Sequence, residues 1–385
     1  MSRSFLFTSE SANEGHPDKV CDQVADAILD SLLAQDPGSR VAVECMISTG
    51  TVHVAGEVTT RGFADVQKIA RGVLRDVGYV NPDFGIDWQD AGVWVSLHEQ
   101  SREIADGVGV EGGPARGAGD QGIMFGYACD ETPELMPLPV MLAHRLCRRM
   151  ADVRRQRLIP DLGPDGKSQV TVEYRDGYPT RVASVVIAQQ HGKSLVESRL
   201  RREMIEQVIR PVCGGLFDDG TRTHINAAGT FTLGGPEADT GVTGRKTVSD
   251  TYGGMARCGG GGISGKDPTK VDRSGTYVAR WIAKNLVAAG LARRCEIQLA
   301  YVIGEASPAS IFIDTFGTGR RDESELEALV RRRFPLEPAA IIQKLDLNRP
   351  IYRATAVFGH FGRECAEFTW ERAERAAALK AEMGE

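Results

Sequence analysis

This 385-residue sequence lacks several features, and each absence excludes a class of protein. The net charge is −6, so the chain lacks the excess of lysine and arginine that general nucleic-acid binders carry. No apolar run approaches the roughly 18 residues that a membrane-spanning helix needs. The first ten residues contain too short an apolar core for a secretory signal. We therefore expect a protein that binds neither nucleic acid nor a membrane.

Paired cysteines are also missing. The eight cysteines form no C-x-x-C pair, and the seven histidines are equally dispersed. Neither a disulfide framework nor a zinc site has this pattern. It predicts reduced, structural thiols and a cytoplasmic location. Any metal is then expected to be a hard cation on oxygen ligands.

Present instead is an order of elements that recurs three times. Alternating apolar runs that predict β-hairpins begin near residues 41, 169 and 295, a spacing of about 127 residues. Helical spacing of apolar residues precedes or follows each hairpin, as from Pro17 to the stop signal at Asp36. We expect an α+β protein of three similar units, with antiparallel sheets covered by helices on one face.

The most unusual stretch is Arg257–Arg273, where Gly259–Gly262 precede alternating charges. Its G-x₄-G-K spacing is similar to a P-loop, but Asp267 replaces the hydroxyl that would meet the metal, and no buried strand precedes it. Glycines let backbone amides approach an anion, and alternating lysines and aspartates suit a polyphosphate with carboxylate-held Mg²⁺. A mobile glycine linker is the alternative.

Three further clusters combine glycine with charge. His16, Asp18 and Lys19 stand where a helix begins, a place that attracts anions. Asp120 lies in a glycine turn, and residues 234–246 contain an acidic and a basic group. Alone, each is compatible with a helix charge, a plain turn or a solvated loop. Together with the glycine run they indicate a metal–polyphosphate site.

Four long motifs carry a resemblance to one family. S-E-S-A-N-E-G-H-P-D-K, G-A-G-D-Q-G-I-M-F-G-Y-A, D-T-Y-G-G-M-A-R and S-G-K-D-P-T-K-V-D-R-S together resemble the methionine adenosyltransferase (S-adenosylmethionine synthetase) family, from about Phe5 to Trp370. The resemblance implies that methionine sulfur attacks C5′ of ATP and displaces tripolyphosphate, which is hydrolysed to pyrophosphate and phosphate. It also implies three related α+β domains, 4–101, 116–233 and 234–372, which can interleave in space.

The resemblance further implies a homodimer or homotetramer with active sites at the subunit interface, and a role for each matched residue. The catalytic residues would be His16, Arg245, Lys266 and Lys270. ATP would contact His16, Asp165, Lys167, the stacking Phe231, Asp239, Arg245, Lys246 and Lys266. L-methionine would contact Glu57, Gln100, Asp120, Asp239 and Lys270. Two Mg²⁺ ions would be held by Asp18 and Asp272, and K⁺ would be bound near Glu44.

Several features leave room for other readings. The segment 100–119 is expected to be a lid. Departures from the common family pattern are found at Thr230, Gly262-Ile263 and Cys258, where nucleotide affinity and loop stiffness would be affected. A Mg²⁺-dependent kinase or polyphosphate hydrolase could use the same lysines and aspartates. A non-catalytic homologue is a third hypothesis, although its catalytic cations would be expected to be lost.

Overall fold

The computed structural model describes residues 4–100 and 117–384. In chain order, the strands are Ser4–Ala12 (β1), Arg40–Ser48 (β2), Thr51–Thr59 (β3), Gly92–His98 (β4), Gly122–Cys129 (β5), Leu162–Arg175 (β6), Tyr178–His191 (β7), Arg222–Ile225 (β8), Gly241–Val242 (β9), Arg294–Tyr301 (β10) and Ser310–Asp314 (β11). The helices are Pro17–Leu33 (α1), Val66–Val77 (α2), Leu138–Arg155 (α3), Glu197–Met204 (α4), Arg210–Cys213 (α5), Thr247–Asp250 (α6), Val271–Ala288 (α7), Glu323–Arg333 (α8), Pro338–Leu345 (α9) and Ala376–Glu382 (α10).

These strands form three sheets with the orders β4–β3–β2–β9, β1–β6–β7–β8 and β11–β10–β5. We call them the N-terminal, central and C-terminal sheets. The three predicted hairpins are present, since β2–β3, β6–β7 and β10–β11 are antiparallel neighbours. The expected α+β class is therefore confirmed.

Each sheet also takes a strand from a distant part of the chain. β1 pairs with β6 from Ser4↔Arg175 to Ala12↔Lys167, β9 pairs with β2, and β5 pairs with β10. The expectation of purely antiparallel sheets is wrong, because β3–β4 and β7–β8 are parallel. In both cases helical structure lies between the two strands, and such a crossover brings the chain back to run in the same direction.

Two helices are buried on nearly all sides and fix the site. α1 begins at Pro17, where the preset φ of proline suits a first helical position, and the His16 side chain accepts a hydrogen bond from the Asp18 amide. Almost every residue of α1 and of α7 is buried. α1 packs on β2 and α2, and α7 packs on β5 and β10. Their polar side chains must therefore find partners inside the protein.

Two apolar clusters form the core. One joins the N-terminal and C-terminal sheets through α1 and α7, and the other lies between the central sheet and α3. The eight cysteines are free thiols, six of them buried. In the described part of the chain, no helix is both long and apolar enough to cross a membrane.

Candidate active site

His16 lies at the start of α1 and is only 2% exposed. Burial, reinforced by the charges of Lys167 and Lys246, lowers its pKa to about 3. The ring is therefore neutral at physiological pH. Its Nδ1 accepts a hydrogen bond from the Asp18 amide at 3.2 Å, which leaves the proton on Nε2. Nε2 is 3.9 Å from Oδ2 of Asp239.

Asp18 connects the end of α1 with the loop after β9. Its Oδ1 accepts a hydrogen bond from the Val242 amide at 2.9 Å, and its Oδ2 accepts one from Nζ of Lys246. Nε of Arg245 is 3.7 Å from the same carboxylate. Burial would raise the pKa of Asp18, but the hydrogen bonds from Lys246 and Val242 hold it below its usual value. Asp18 is thus an ionised carboxylate between two cations.

The expected nucleotide residues adjoin this helix end. Asp165 of β6 is buried, and its Oδ2 accepts a hydrogen bond from the Gly235 amide at 2.8 Å. Burial raises its pKa to about 6. The backbone carbonyl of Phe231 accepts a hydrogen bond from the amide of His191 on β7, and the Phe231 amide donates one to Nε2 of the His191 ring. We call the following residues the helix-end group: His16, Asp18, Asp165, Lys167, Phe231, Asp239, Arg245 and Lys246.

A second set of cations lies on the glycine-rich stretch. Nζ of Lys266 is 2.5 Å from Oδ2 of Asp272, and Nζ of Lys270 is 2.5 Å from Oδ2 of Asp267. The backbone at Gly265 runs along the edge of β2, where its carbonyl accepts from the Val43 amide at 3.0 Å. A side chain there would be impossible, since φ is +81° and a Cβ would lie 1.9 Å from the Val43 carbonyl oxygen.

The outer face of the N-terminal sheet continues this second set. Glu44 lies on β2 and Glu57 on the neighbouring β3. Their carboxylates are close enough to interact electrostatically. Burial raises the pKa of Glu44, and the charge of Lys266 opposes that rise. Nε2 of His98 is 3.4 Å from Glu57. We call the following residues the glycine-loop group: Glu44, Glu57, Lys266, Lys270 and Asp272.

Two expected methionine contacts are placed locally, and the lid is not described. The amide of Gln100 donates to Oγ1 of Thr59 at the end of β3. Asp120 accepts a hydrogen bond from the Gln121 amide, as in a plain turn, while the preceding Gly119 lies against the Thr269 carbonyl. Most of the predicted lid, 101–116, lies outside the described residues.

The two groups are adjacent but separate within one chain. Gly244 and Gly262 approach each other closely, since a Cβ on Gly244 would lie 3.3 Å from the Gly262 Cα. Across residues 4–100 and 117–384, however, no ion pair joins a residue of the helix-end group to one of the glycine-loop group.

The carboxylates expected to hold metal were tested against their surroundings. Among the described residues, no three His, Cys, Asp or Glu side chains come together as a ready-made cation site. Asp18 and Asp272 each stand beside lysine instead. This fits Mg²⁺, which usually takes one or two carboxylates and fills its remaining positions with substrate phosphates and water.

A row of aspartates on α1 was missed by the sequence reasoning. Besides Asp18, every fourth residue is an aspartate that accepts backbone amides from another loop. Asp22 accepts from Gly244 at 2.9 Å, Asp26 from Gly265 at 2.8 Å, and Asp30 from Tyr352 and Arg353 at 2.8 Å. The spacing of four, which places side chains on one helix face, was the available signal.

This row fixes both cationic loops. Gly244 directly precedes Arg245 and Lys246, and Gly265 directly precedes Lys266. The row is compensated internally, because Asp26 is paired with Nη2 of Arg273 at 2.5 Å and Asp22 with Nζ of Lys19 at 2.9 Å. α1 therefore acts as a common support for the two groups.

Lys19 and Asp267 have structural roles that the sequence did not predict. Lys19 was considered a phosphate donor, but it is buried between Asp22 and Asp250. Burial acts to lower its pKa, and these carboxylates nevertheless raise it above its usual value. Asp267, the apparent defect in a P-loop, is buried and accepts hydrogen bonds from the Val41 and Thr269 amides. Asp267 therefore orders the loop and forms an ion pair with Lys270.

Comparison with known proteins agrees with this geometry. Family models of the S-adenosylmethionine synthetase N-terminal, central and C-terminal domains match residues 4–102, 115–231 and 233–372. The chain is also 54% identical over 386 residues to the S-adenosylmethionine synthase of Desulforudis audaxviator (strain MP104C), covering 98% of each protein. The three matched domains account for nearly the whole chain, which belongs to the S-adenosylmethionine synthetase family.

Proposed function

We propose that the helix-end group and the glycine-loop group together bind ATP and L-methionine. As a member of its family, the chain is a methionine adenosyltransferase, and its reaction is the synthesis of S-adenosylmethionine. One observation carries the proposal: α1 holds both cationic loops through hydrogen bonds from the amides of Gly244 and Gly265, so that each chain presents two ordered cationic groups.

The demands of this reaction fit the side chains. Methionine sulfur is a thioether and needs no general base, only alignment with C5′ and a dry surrounding. The leaving tripolyphosphate carries several negative charges, which cations stabilise in the transition state. Lys246 and Arg245 would serve from one group and Lys266 and Lys270 from the other. Neutral His16 would donate a hydrogen bond from Nε2 to an oxygen of the departing chain.

The substrate contacts are assigned by the same reasoning. Asp165, Lys167 and Phe231 would receive the nucleoside end of ATP, because they surround the helix end on the side of the central sheet. Glu57, Gln100, Asp120 and Asp239 would hold methionine, whose ammonium group suits carboxylates. These contacts are part of the proposal.

The family is magnesium-dependent, and the number and positions of the ions are proposed here. Asp18 and Asp272 would each bind one Mg²⁺ with the side-chain carboxylate, and substrate phosphates and water would supply the remaining ligands. K⁺ would be held near Glu44. When bound, these cations would add positive charge at the polyphosphate. Lys246 forms an ion pair with Asp18, and Lys266 forms one with Asp272.

We propose a homodimer or homotetramer in which each site combines groups from two chains. Support comes from the outer face of the N-terminal sheet, where Met46, His53 and Trp94 are aligned across three strands. Met46 is 40% and Trp94 is 63% exposed, and exposed apolar side chains that adjoin one another on a surface mark interaction sites. Domain ranges 4–101, 116–233 and 234–372 and a cytoplasmic location belong to the same proposal.

A single assay tests the function against its rivals. ATP, methionine, Mg²⁺ and K⁺ are mixed with the protein, and the sulfonium product and phosphate are measured together. We expect S-adenosylmethionine to form in proportion to protein, with phosphate release that depends on methionine. Phosphate release without methionine and without sulfonium product would instead indicate a kinase or polyphosphate hydrolase. Inactivity with both substrates would favour a non-catalytic homologue, although the catalytic cations are present.

A further inference from the structure

A cavity of about 390 Å³ lies between α3 and the loop 358–365, and none of its lining residues belongs to the two groups above. α3 contributes His144, Arg145 and Arg148, and the loop contributes Phe358 and Arg363. Three of these five side chains are arginines. Two glutamates, Glu134 and Glu364, also line the cavity, so three arginines against two glutamates leave an excess of one positive charge in a protein whose net charge is −6.

The acidic side chains of the lining are already paired. Glu134 is bound to Nη2 of Arg145 at 2.6 Å, and Glu364 lies 3.6 Å from Nζ of Lys284. In the part of the chain that the structure describes, Arg148 and Arg363 have no carboxylate within ion-pair distance. Two guanidinium groups thus face one cavity, and neither forms an ion pair within the described residues.

Their surroundings register this excess of positive charge. Burial, followed by the charge of Arg148, lowers the pKa of Arg363 to about 10. Burial, followed by the charges of Arg363, Lys19 and Arg148, lowers the pKa of His144 to about 3. A buried guanidinium cannot lose its proton cheaply, so an anion is the simplest means of compensation.

Hydrogen-bonding capacity is also left over. Nη2 of Arg363 donates to the Ala354 carbonyl at 2.7 Å, and the guanidinium lies 4.6 Å from the centre of the Phe368 ring. Its Nε is buried without a partner, as is Nε2 of His144. The Arg148 guanidinium is held 5.5 Å from the centre of the Phe358 ring. Aromatic contacts therefore orient both groups while leaving N–H donors unused.

We propose that this cavity binds a phosphate-type oxyanion between Arg148 and Arg363. The planar fork of a guanidinium matches the oxygens of a phosphoryl group, and two such forks can bind it from both sides. The volume exceeds the needs of a free phosphate ion and leaves space beside Phe358 and Met141 for the organic part of a monoester. The site is independent of the adenosyl transfer proposed above.

The test measures binding of inorganic phosphate to the full-length protein by equilibrium dialysis at constant ionic strength. A saturating non-hydrolysable ATP analogue with Mg²⁺ keeps phosphate out of the candidate active site. Arg148→Gln removes one fork from an exposed position of α3, where folding should be preserved. Arg202→Gln is the matched control, since it removes the same charge from an exposed position on α4. Arg148→Lys retains the charge but not the fork.

We expect the wild type and Arg202→Gln to bind one phosphate per chain, and Arg148→Gln to bind it at least about tenfold more weakly. Arg148→Lys should fall between them. Tighter binding of phenyl phosphate than of inorganic phosphate would identify a monoester as the ligand, and equal binding would identify the free ion. The proposal is overturned if phosphate does not bind beside the analogue, or if Arg148→Gln and Arg202→Gln bind it equally.

The comparison of these two variants does not depend on the adenosyl-transfer assay. If the ATP analogue failed to bind, phosphate at the candidate active site would contribute equally to Arg148→Gln and Arg202→Gln. Failure of the proposed function and failure of the anion site would therefore be distinguishable.

Discussion

His16 combines a position beside the expected polyphosphate with a neutral ring. Because its pKa is lowered to about 3, the ring gains a proton only near that pH and stays neutral from pH 5 to 9. In the free protein it can therefore donate a hydrogen bond from Nε2 as a neutral imidazole. The alternative, a charged histidine paired with Asp239, would require burial to be outweighed.

This neutral state gives a prediction about pH. His16→Asn should lower turnover by about 100- to 1,000-fold, the usual size for loss of an oriented donor. Profiles of kcat/KM against pH for the wild type and the variant should nevertheless share their inflections between pH 5 and 9, because His16 does not titrate there. A step near pH 6 to 7 that is present in the wild type and lost in the variant would show a protonated catalytic histidine instead.

Lys266 is the cation whose removal should affect the leaving group most directly. Lys266→Met preserves the length of the side chain but removes the charge and leaves Asp272 unpaired. Turnover should fall by about 100- to 1,000-fold. Lys68→Met, an exposed change on α2, is the matched control and should retain normal turnover. The assigned role is contradicted if the two variants have similar kcat.

At the scale of elements, α1 determines where both cationic loops lie. Four aspartates on one helix face would repel one another and destabilise an isolated helix. Here each accepts a hydrogen bond from a backbone amide of one of three other segments, and Asp18, Asp22 and Asp26 also have basic partners. The helix is thus stable only in its tertiary setting, and the loops are ordered by it in return.

The row on α1 supplies its own matched comparison. Asp22→Asn removes the negative charge that accepts hydrogen bonds from the Gly244 amide and from Nζ of Lys19. The loop that contains Arg245 and Lys246 should therefore shift. We expect kcat to fall about 10- to 100-fold, as for small misplacements of catalytic groups. Asp30→Asn disturbs amides of Tyr352 and Arg353 instead, and should lower Tm while leaving kcat within about twofold at low temperature.

Tm and kcat together distinguish a role in positioning the catalytic loops from a role in stability alone. Thermal unfolding and steady-state kinetics are measured on the same preparations, below the Tm of either variant. If kcat falls equally in Asp22→Asn and Asp30→Asn, the row contributes to stability alone and does not position the catalytic loops.

The sequence revealed elements whose information is local. Apolar periodicity and turn residues predicted α1 and the three hairpins, because each is specified by residues close in the chain. β1 and β5 were not predicted, since each is completed by a partner far along the sequence. The parallel pairs β3–β4 and β7–β8 were missed for the same reason. Strand pairing depends on tertiary packing, which periodicity does not encode.

The site shows the same division. Glycine and charge clusters identified the residues around His16 and Lys266, since unusual composition is visible locally. The sequence did not reveal that Asp267 and Lys19 are structural, or that Asp22 and Asp26 hold the loops. These structural roles depend on burial and on hydrogen bonds between residues that lie more than 200 positions apart in the sequence.

At the scale of the whole molecule, two separate groups and an exposed sheet face suggest that each chain is incomplete as a catalyst. Glu44 and Glu57 share an outward face with Met46 and Trp94, so the carboxylates proposed for K⁺ and methionine and exposed apolar side chains occupy one surface. Covering this surface with a second chain would bury the apolar side chains and exclude water from the carboxylates.

Assembly of each site from two chains can be tested by combining two inactive variants. His16→Asn damages the helix-end group, and Lys266→Met damages the glycine-loop group, so both sites of either homodimer are defective. In a mixed dimer, one site would contain both changes and the other neither. The two chains are therefore co-expressed with different tags and purified through both.

The mixed dimers should show about half the wild-type activity, because symmetry gives one intact site of two. The two homodimers, purified in the same way, provide the baseline. If both groups of one chain formed a single site, every chain in the mixed dimer would still contain a damaged site, and activity would stay at that baseline. Recovery therefore requires that the helix-end group and the glycine-loop group of one chain serve different sites.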